Sequence, residues 1–292
     1  MYTDLFGKRR VRLGLHHHTT YSDGRCTPEE TVQLYRQAGY DAIAFTDHWV
    51  FASTQQVDGF PILSGCEYNV GAHDAHEGVW HIICLCAGQE PHLVKGASAQ
   101  QIIDAIHEAG GLAVLAHPAW SLNTPQMIKT LRGIDAVEIY NTVSGKGMSR
   151  RADASLIVDM LATDGIFFPL IAADDSHYYE SGNFGDACTA FIMAQCDSTE
   201  PAAILQSIRE GNFYASTGPE IHLRLEGDTA IVDCSPASEI LFMSNFTFSR
   251  GRAFTGEALT HAEYTIKPGE SFIRAYITDS SGAQAWTNCI RL

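Results

Sequence analysis

Three consecutive histidines, His16, His17 and His18, follow the apolar, β-branched run Val11, Leu13, Leu15 and precede the turn sequence Ser22-Asp23-Gly24. The run reads as a strand and Ser-Asp-Gly as the turn that ends it. Side chains alternate faces along a strand, so His16 and His18 point the same way while His17 points to the other side. With Asp23 returning from the loop, this is half of a metal shell. So short a run, internal and behind a good strand, is not a leftover affinity tag. Similar side chains recur after later apolar runs. His48 ends Thr46-Asp47-His48 after residues 42–45, Glu67 follows 60–66, and His117 follows 112–116. Asp175 and His177, after 167–173, repeat the i, i+2 spacing of His16 and His18, and His81 lies within the strand-like run 79–86. One zinc ion takes about four ligands, so His16, His18, Asp23, His48, Glu67, His81, His117, Asp175 and His177 are too many for a single ion. Two or three divalent ions are implied. Imidazole and carboxylate without thiolate suit zinc, iron or manganese, with Glu67 and Asp175 as bridging candidates.

The elements that must position these residues follow from the punctuation. Thr27-Pro28-Glu29-Glu30 joins an N-cap, a proline at the first helical position and a capping-box glutamate, and the helix it starts stops at Gly39. A second capping pair, Ser98 and Gln101, opens a helix that ends at Gly110-Gly111. Further helices are expected from Thr124-Pro125 toward Gly133, over 149–164 and over 199–210, with strands at 136–140 and 187–194. Strand and helix alternate, which argues for βα units around a parallel sheet. In a closed parallel barrel the C-terminal strand ends share one face, so ligands far apart in sequence converge there. An open doubly wound sheet would string them along an edge, so the ligand pattern favours closure. From about Pro219 the helical punctuation gives way to short alternating runs separated by turns such as Lys267-Pro268-Gly269. That texture predicts a small antiparallel β domain at 219–292 behind a barrel at 1–218.

The chain has 292 residues, 45% hydrophobic, with a formal net charge of -15. Such acidity excludes nonspecific binding of duplex nucleic acid or anionic membranes, both of which need a basic footprint. Residues 1–10 hold no signal-like apolar stretch, no membrane-length apolar run occurs, and a cytoplasmic protein is expected. The eight cysteines are scattered without a Cys-x-x-Cys pair and mostly lie in apolar runs, as buried small hydrophobes do. The lone His222 and His261 read as surface or structural residues.

The ordered set Leu-His-x-His-Thr-x-x-Ser-Asp-Gly (15–24), Thr-Asp-His (46–48), Gly-x-Glu (65–67), Ala-His-Pro (116–118) and Asp-x-His (175–177) resembles the polymerase and histidinol phosphatase (PHP) superfamily. The likeness covers roughly residues 11–217. It implies a distorted (β/α)7 barrel, TIM-like, with two or three metal ions and no organic cofactor. Carried over by motif, it places one ion at His16, His18, Glu67 and Asp175, a second at Glu67, His81 and His117, and a third at Asp23, His48 and His177. His73 and His76 are rivals of His81. Gly14 stands where the superfamily usually has Asp, a departure expected to affect loop order more than metal count. The segment 211–218 before a β domain resembles the branch that includes carbamate-ester hydrolases.

The leading expectation is hydrolysis of a phosphate ester, of a small molecule or a nucleotide, by a metal-activated hydroxide. Asp175 would orient the nucleophile, with His177 or His48 as general acid if the third site is empty. Arg25, Lys146 and Arg150 are the candidate phosphate contacts, Arg150 the favoured bidentate one. The second reading keeps the metals and takes a carboxylic ester, carbamate or amide, in a pocket lined from Trp49, Phe51, Trp80, Trp120, Tyr178 and Tyr179. The third, a metal-binding module without catalysis, is disfavoured because structural zinc shells are closed and this cluster offers open positions. Oligomeric state is not encoded in any of these motifs.

Overall fold

The computed structural model describes residues 1–53, 56–71, 79–86, 88–94, 96–178 and 185–292, with the side chain of Lys146 outside the description. Two-residue strands aside, the elements up to residue 216 are β1 (Arg9–Gly14), α1 (Pro28–Gln37), β2 (Ala42–Ala44), β3 (Phe60–Val70), β4 (Trp80–Cys86), α2 (Ala99–Glu108), β5 (Leu112–Leu115), α3 (Pro125–Ile128), β6 (Ala136–Asn141), α4 (Ser155–Thr163), β7 (Leu170–Ala173), β8 (Phe191–Gln195), α5 (Pro201–Arg209) and β9 (Phe213–Ser216). Both expected capping boxes are formed. Thr27 and Glu30 exchange side-chain and backbone hydrogen bonds at the start of α1, and Ser98 and Gln101 do so at the start of α2.

The sheet is mixed rather than all parallel. β1–β2, β2–β3, β5–β6 and β6–β7 pair in parallel. β4 runs antiparallel to both β3 and β5, and β8 is antiparallel to β1 and β9. The reason for β4 lies in the connection: the stretch between Val70 and Trp80 is shorter than the dozen or more residues that a parallel crossover needs. β3 is also longer than expected, so Glu67 sits inside the strand and not at its end. β7 begins only at Leu170, immediately after Pro169, which has no N–H to give a ladder. Beyond the strands, Asp175 N–H donates to His16 O at 3.0 Å and His18 N–H to Ser176 O at 3.0 Å, so the segments leaving β1 and β7 are stitched together. This junction carries four of the candidate ligands.

The C-terminal region is rich in strands: β10 (Ile221–Glu226), β11 (Thr229–Met243), β12 (Ala253–Thr265), β13 (Phe272–Thr278) and β14 (Gln284–Thr287). β11 pairs antiparallel with β10, β12 and β13. β9 pairs with β14, so hydrogen bonding is continuous from the α/β part into this region. One apolar cluster likewise joins Val32, Tyr35, Ile43 and Phe60 to Val232, Ile240, Phe242 and Ile277. Arg274 on β13, 1% exposed, holds Asp159 on α4 through two bonds of 2.6 and 2.8 Å. Among the described residues no helix is long and apolar enough to cross a membrane.

Candidate metal centre

His16, His18 and Asp175 meet at the stitched segments, and Glu67 reaches them from β3. His16 Nε2 lies 3.2 Å from His18 Nε2, 3.3 Å from Glu67 Oε2 and 3.2 Å from Asp175 Oδ1. His18 Nε2 lies 3.1 Å from Glu67 Oε2 and 3.2 Å from Asp175 Oδ1. All five of these separations lie between 3.1 and 3.3 Å. Tetrahedral bonds of 2.0–2.1 Å place ligand atoms about 3.3 Å apart, so the set fits a divalent ion such as zinc. Asp175 Oδ1 is buried yet takes no hydrogen bond, another mark of a donor set shaped for a cation.

The second oxygen of Glu67 faces another pair. Oε1 lies 2.8 Å from His81 Nδ1 and 3.3 Å from His117 Nε2. A third group, His18, Asp23, His48 and His177, offers donor atoms within 4.8 Å of one another. It is looser and more open: His177 Nε2 and His48 Nε2 are 3.5 and 3.9 Å from Asp23 Oδ2, and the Asp23 side chain is 54% exposed. His48 also lies 3.2 Å from Glu67 Oε2 through Nδ1, so it stands between the first and third groups. All nine expected ligands are thus gathered in one place. The rivals His73 and His76 lie outside the described residues, as does Tyr179.

Mutual proximity sets the charge states. Burial alone would keep the His16 and His18 imidazoles neutral, but Asp175, Glu67 and further carboxylates outweigh it and hold both pKa values well above the ordinary range. His117 and His177 are raised in the same way. Burial works against the charge of Glu67 and Asp175 too, yet the surrounding imidazoles push both carboxylates far below their usual values. His48 is lowered, chiefly by burial.

Several supporting residues are absent from the sequence-level list. Glu138 on β6, fully buried, takes His16 Nδ1 at 2.7 Å. Ser121 meets His117 Nδ1 at 3.0 Å. Asp47, buried, accepts the backbone N–H groups of Thr19 and Ser22 and both of their hydroxyls, so it holds the loop that carries Asp23. Asp186 accepts the N–H of His177 at 2.7 Å. The one signal that could have found Glu138 is its place as the only acid in an otherwise apolar strand. His17 points away from the centre as expected: its ring packs edge-on against Tyr35, Nδ1 meets Ala44 O at 2.9 Å, and burial pushes its pKa down to about 3. Gly14 owes its place to this ring, because a Cβ there would lie 2.5 Å from His17 Cε1. The glycine at this position therefore serves packing against His17. His117 and Asp175 have φ of 27° and 54°, a left-handed conformation that non-glycine residues rarely hold and that marks functional sites.

A cavity of about 350 Å³ opens over the centre, walled in part by Asn69, His48, His177, Trp120, Met148 and Tyr178. Neither Arg25 nor Arg150 is among its lining residues. Arg25 stacks 5.1 Å over the ring of Tyr178, one remove from the cavity, and Arg150 is exposed at the end of the π-helical turn Gly145–Ser149. His222, read as a lone histidine, is buried and meets Glu220.

No curated protein matches the chain. A two-domain protein from Bacteroides vulgatus containing a predicted PHP-like metal-dependent phosphoesterase is similar over 99% of this chain and 98% of its own, at 13% identity and a TM-score of 0.54, a likeness of fold. A protein from Bifidobacterium adolescentis described as a metal-dependent phosphoesterase is similar over 60% of this chain and 90% of its own, at 16% identity and a TM-score of 0.38. An amidohydrolase from Chromobacterium violaceum with bound sulfate and no metal is similar over 59% and 89%, at 17% identity and a TM-score of 0.42. The model of the PHP domain matches residues 14–142, a span that holds seven of the nine gathered side chains and leaves Asp175 and His177 beyond its end.

Proposed function

We propose that this chain is a metal-dependent hydrolase that cleaves a phosphate ester of a small molecule or nucleotide. The observation that carries the reading is Glu67, whose two oxygens face two different histidine sets: Oε2 the His16–His18 side and Oε1 His81 and His117. A carboxylate so placed is built to bridge. His16, His18, Glu67 and Asp175 would hold one ion, Glu67, His81 and His117 a second, and Asp23, His48 and His177 a third. Bound zinc, manganese or iron would lower the pKa of water to give a nucleophile near neutral pH and would offset charge on the phosphoryl oxygens. Asp175 orients that water through its carboxylate. Where the third site holds no ion, His177, which lines the cavity and whose pKa is raised by Asp175 and Asp23 against the effect of burial, would protonate the leaving oxygen, with His48 as its alternative. Lys146, Arg25 and Arg150 remain the candidate cations for substrate, Arg25 through a small swing of its stacked side chain.

The same reading takes the mixed sheet as a distorted (β/α)7 barrel closed by the His17–Ser176 bridge, divides the chain at 218/219, and places it in the cytoplasm. Free cysteines throughout fit a reducing compartment. A second reading, hydrolysis of a carboxylic ester, carbamate or amide, draws on the cavity wall, where Trp120, Met148 and Val143 contribute and no arginine appears among the described lining residues. The test is kcat/KM of one metal-loaded preparation on p-nitrophenyl phosphate mono- and diesters against the acetate and a carbamate, with Asp175→Asn as control. Preference for phosphate that disappears in the control supports the proposal. Preference for the carbonyl compounds replaces it with the second reading, and no turnover of either class by protein with bound metal refutes both.

A further inference from the structure

The buried carboxylate of Glu138 does not line the cavity over the centre and is not itself a candidate ligand, yet it bonds His16 just beyond β1, His117 just beyond β5 and Asn141 at the end of β6. We propose that Glu138 is a positioning residue that fixes His16 in the one tautomer able to hold a metal; the inference rests on the metal-dependent reading above. A fully buried carboxylate is tolerated only when its oxygens are satisfied by donors. Here Oε1 takes His16 Nδ1 at 2.7 Å, while Oε2 accepts the backbone N–H of His117 at 2.8 Å and Asn141 Nδ2 at 2.9 Å. Neither donor on Oε2 can exchange roles. A backbone N–H only donates, and the Asn141 amide is oriented by its own oxygen, which accepts the N–H of Ser144 at 3.1 Å and its hydroxyl at 2.7 Å. The second proton on Asn141 Nδ2 reaches Asp175 Oδ2 at 3.2 Å. With Oε2 committed, Oε1 remains for His16 and requires an N–H at Nδ1. In the neutral ring that binds a metal, the lone pair is then on Nε2, the atom that faces His18, Glu67 and Asp175. A histidine that donates its other N–H to a carboxylate is oriented and made more basic for its ion.

The isosteric change Glu138→Gln isolates this role. An amide has one oxygen and one NH2. If the oxygen takes the Oε2 place, it keeps both donors there and turns the NH2 toward His16 Nδ1, which must then accept, moving the imidazole proton to Nε2. If it takes the Oε1 place, the NH2 opposes two fixed donors. The first arrangement loses fewer hydrogen bonds, so the substitution puts a proton where the ion should sit.

The experiment is a chelator-competition titration with zinc alone on the metal-stripped full-length chain, wild type against Glu138→Gln, with thermal unfolding of both in stripped and loaded form. The expected result is loss of about 10- to 100-fold in zinc affinity at one site, the remaining sites unchanged, the stripped Tm close to wild type and a smaller zinc-induced rise in Tm. Nitrogen NMR of histidine in the loaded proteins should show an Nδ1–H signal for His16 that is absent in the variant. Wild-type affinity and stoichiometry in Glu138→Gln overturn the proposal, as does a variant whose stripped Tm falls and whose sites all weaken alike. If Glu138→Gln does not fold, Glu138→Asp, which keeps the charge but cannot span to His16 and His117 together, must show a loss of the same sign, and wild-type zinc binding in it overturns the proposal. A wild-type chain that takes no zinc, manganese or iron removes the metal centre itself, an outcome distinct from failure of the Glu138 role alone.

Discussion

Gly14 packs tightly against the ring of His17 beside the centre, and this contact can be tested without metal. A Cβ on residue 14 would lie 2.5 Å from His17 Cε1, 2.7 Å from Nε2 and 3.3 Å from Tyr40 Cε1. The ring has nowhere to retreat. It is fully buried, its Nδ1 bonds to Ala44 O at 2.9 Å, and it rests on Tyr35 at a centroid distance of 4.3 Å. Tyr35 is pinned in turn by Asp174 at 2.7 Å and Ser176 at 3.0 Å. Gly14→Ala therefore forces overpacking, worth about 1–3 kcal/mol. A shifted ring also weakens the Ala44 bond, worth a further ~1 kcal/mol. Taken together this is at least about 2 kcal/mol, and at about 2–4 °C per kcal/mol the metal-free Tm should fall by no less than about 4 °C. Gly145→Ala, whose added Cβ would meet only Ala152 Cβ at 3.4 Å, is the control and should shift Tm by less than about half as much. In a His17→Ala background the obstacle is gone, and Gly14→Ala should become nearly neutral, a coupling that a double-mutant cycle reads directly. A Gly14→Ala protein that melts with wild type, or one equally destabilised with and without the His17 ring, refutes the packing argument.

The Arg274–Asp159 pair offers a test of how the C-terminal strands are held: Asp159→Asn leaves a buried guanidinium without its counter-charge and should cost about 3–5 kcal/mol, measured by urea unfolding, whereas a cost under about 1 kcal/mol would mean that the pair is dispensable. The metal-free protein should also show an unusual pH profile. His16, His18, His117 and His177 have folded pKa values above their unfolded ones, so their stabilisation is complete below about pH 6.5 and is lost as pH rises through the folded values. Glu67 and Asp175 are depressed and lose their contribution as pH falls, while His17, neutral down to about 3, opposes folding below its unfolded value. Tm of stripped protein should thus peak near pH 6–7 and decline toward pH 8, and the gap to metal-loaded protein should widen over the same interval because ligands must shed protons to bind. A gap that is constant or narrows would contradict this account.

The features legible in the sequence were those with local causes. A capping box is written within four residues, so α1 and α2 start where Thr27-x-x-Glu30 and Ser98-x-x-Gln101 say they should. The alternation of side chains along a strand was enough to send His16 and His18 one way and His17 the other. What escaped was set by pairing partners that no single segment reveals. The run 79–86 has the apolar texture of any buried strand, and its antiparallel direction comes from the short connection before it and from the length of β3. That direction has a consequence for the centre. Because β4 runs back along β3, with His81 opposite Asn69, a histidine near the start of a strand reaches a carboxylate near the end of its neighbour. The search for ligands only at C-terminal strand ends would have missed it; His81 was a candidate for its place within the apolar run 79–86, and the likeness to a family pattern gave it a metal set.

Glu138 shows the complementary limit. A charged residue in a buried strand is visible in the sequence, but its meaning depends on what its two oxygens face, and those partners are 21 and 122 residues away. The same holds for Asp47, which reads as the residue before a ligand yet holds Thr19 and Ser22, 28 and 25 positions earlier, and with them the loop of Asp23. Ligand types repeat in a motif because the ion's chemistry demands them. Supporting residues are chosen by whichever donors happen to be left over, so they follow the three-dimensional arrangement of this particular chain. The centre is therefore expected to tolerate change unevenly. Substitution among supporting residues should act through orientation and affinity, as argued for Glu138, whereas loss of Glu67 removes the shared carboxylate from both histidine sets at once and leaves Asp175, 3.2 Å from His16 and 3.7 Å from His117, as the acid between them.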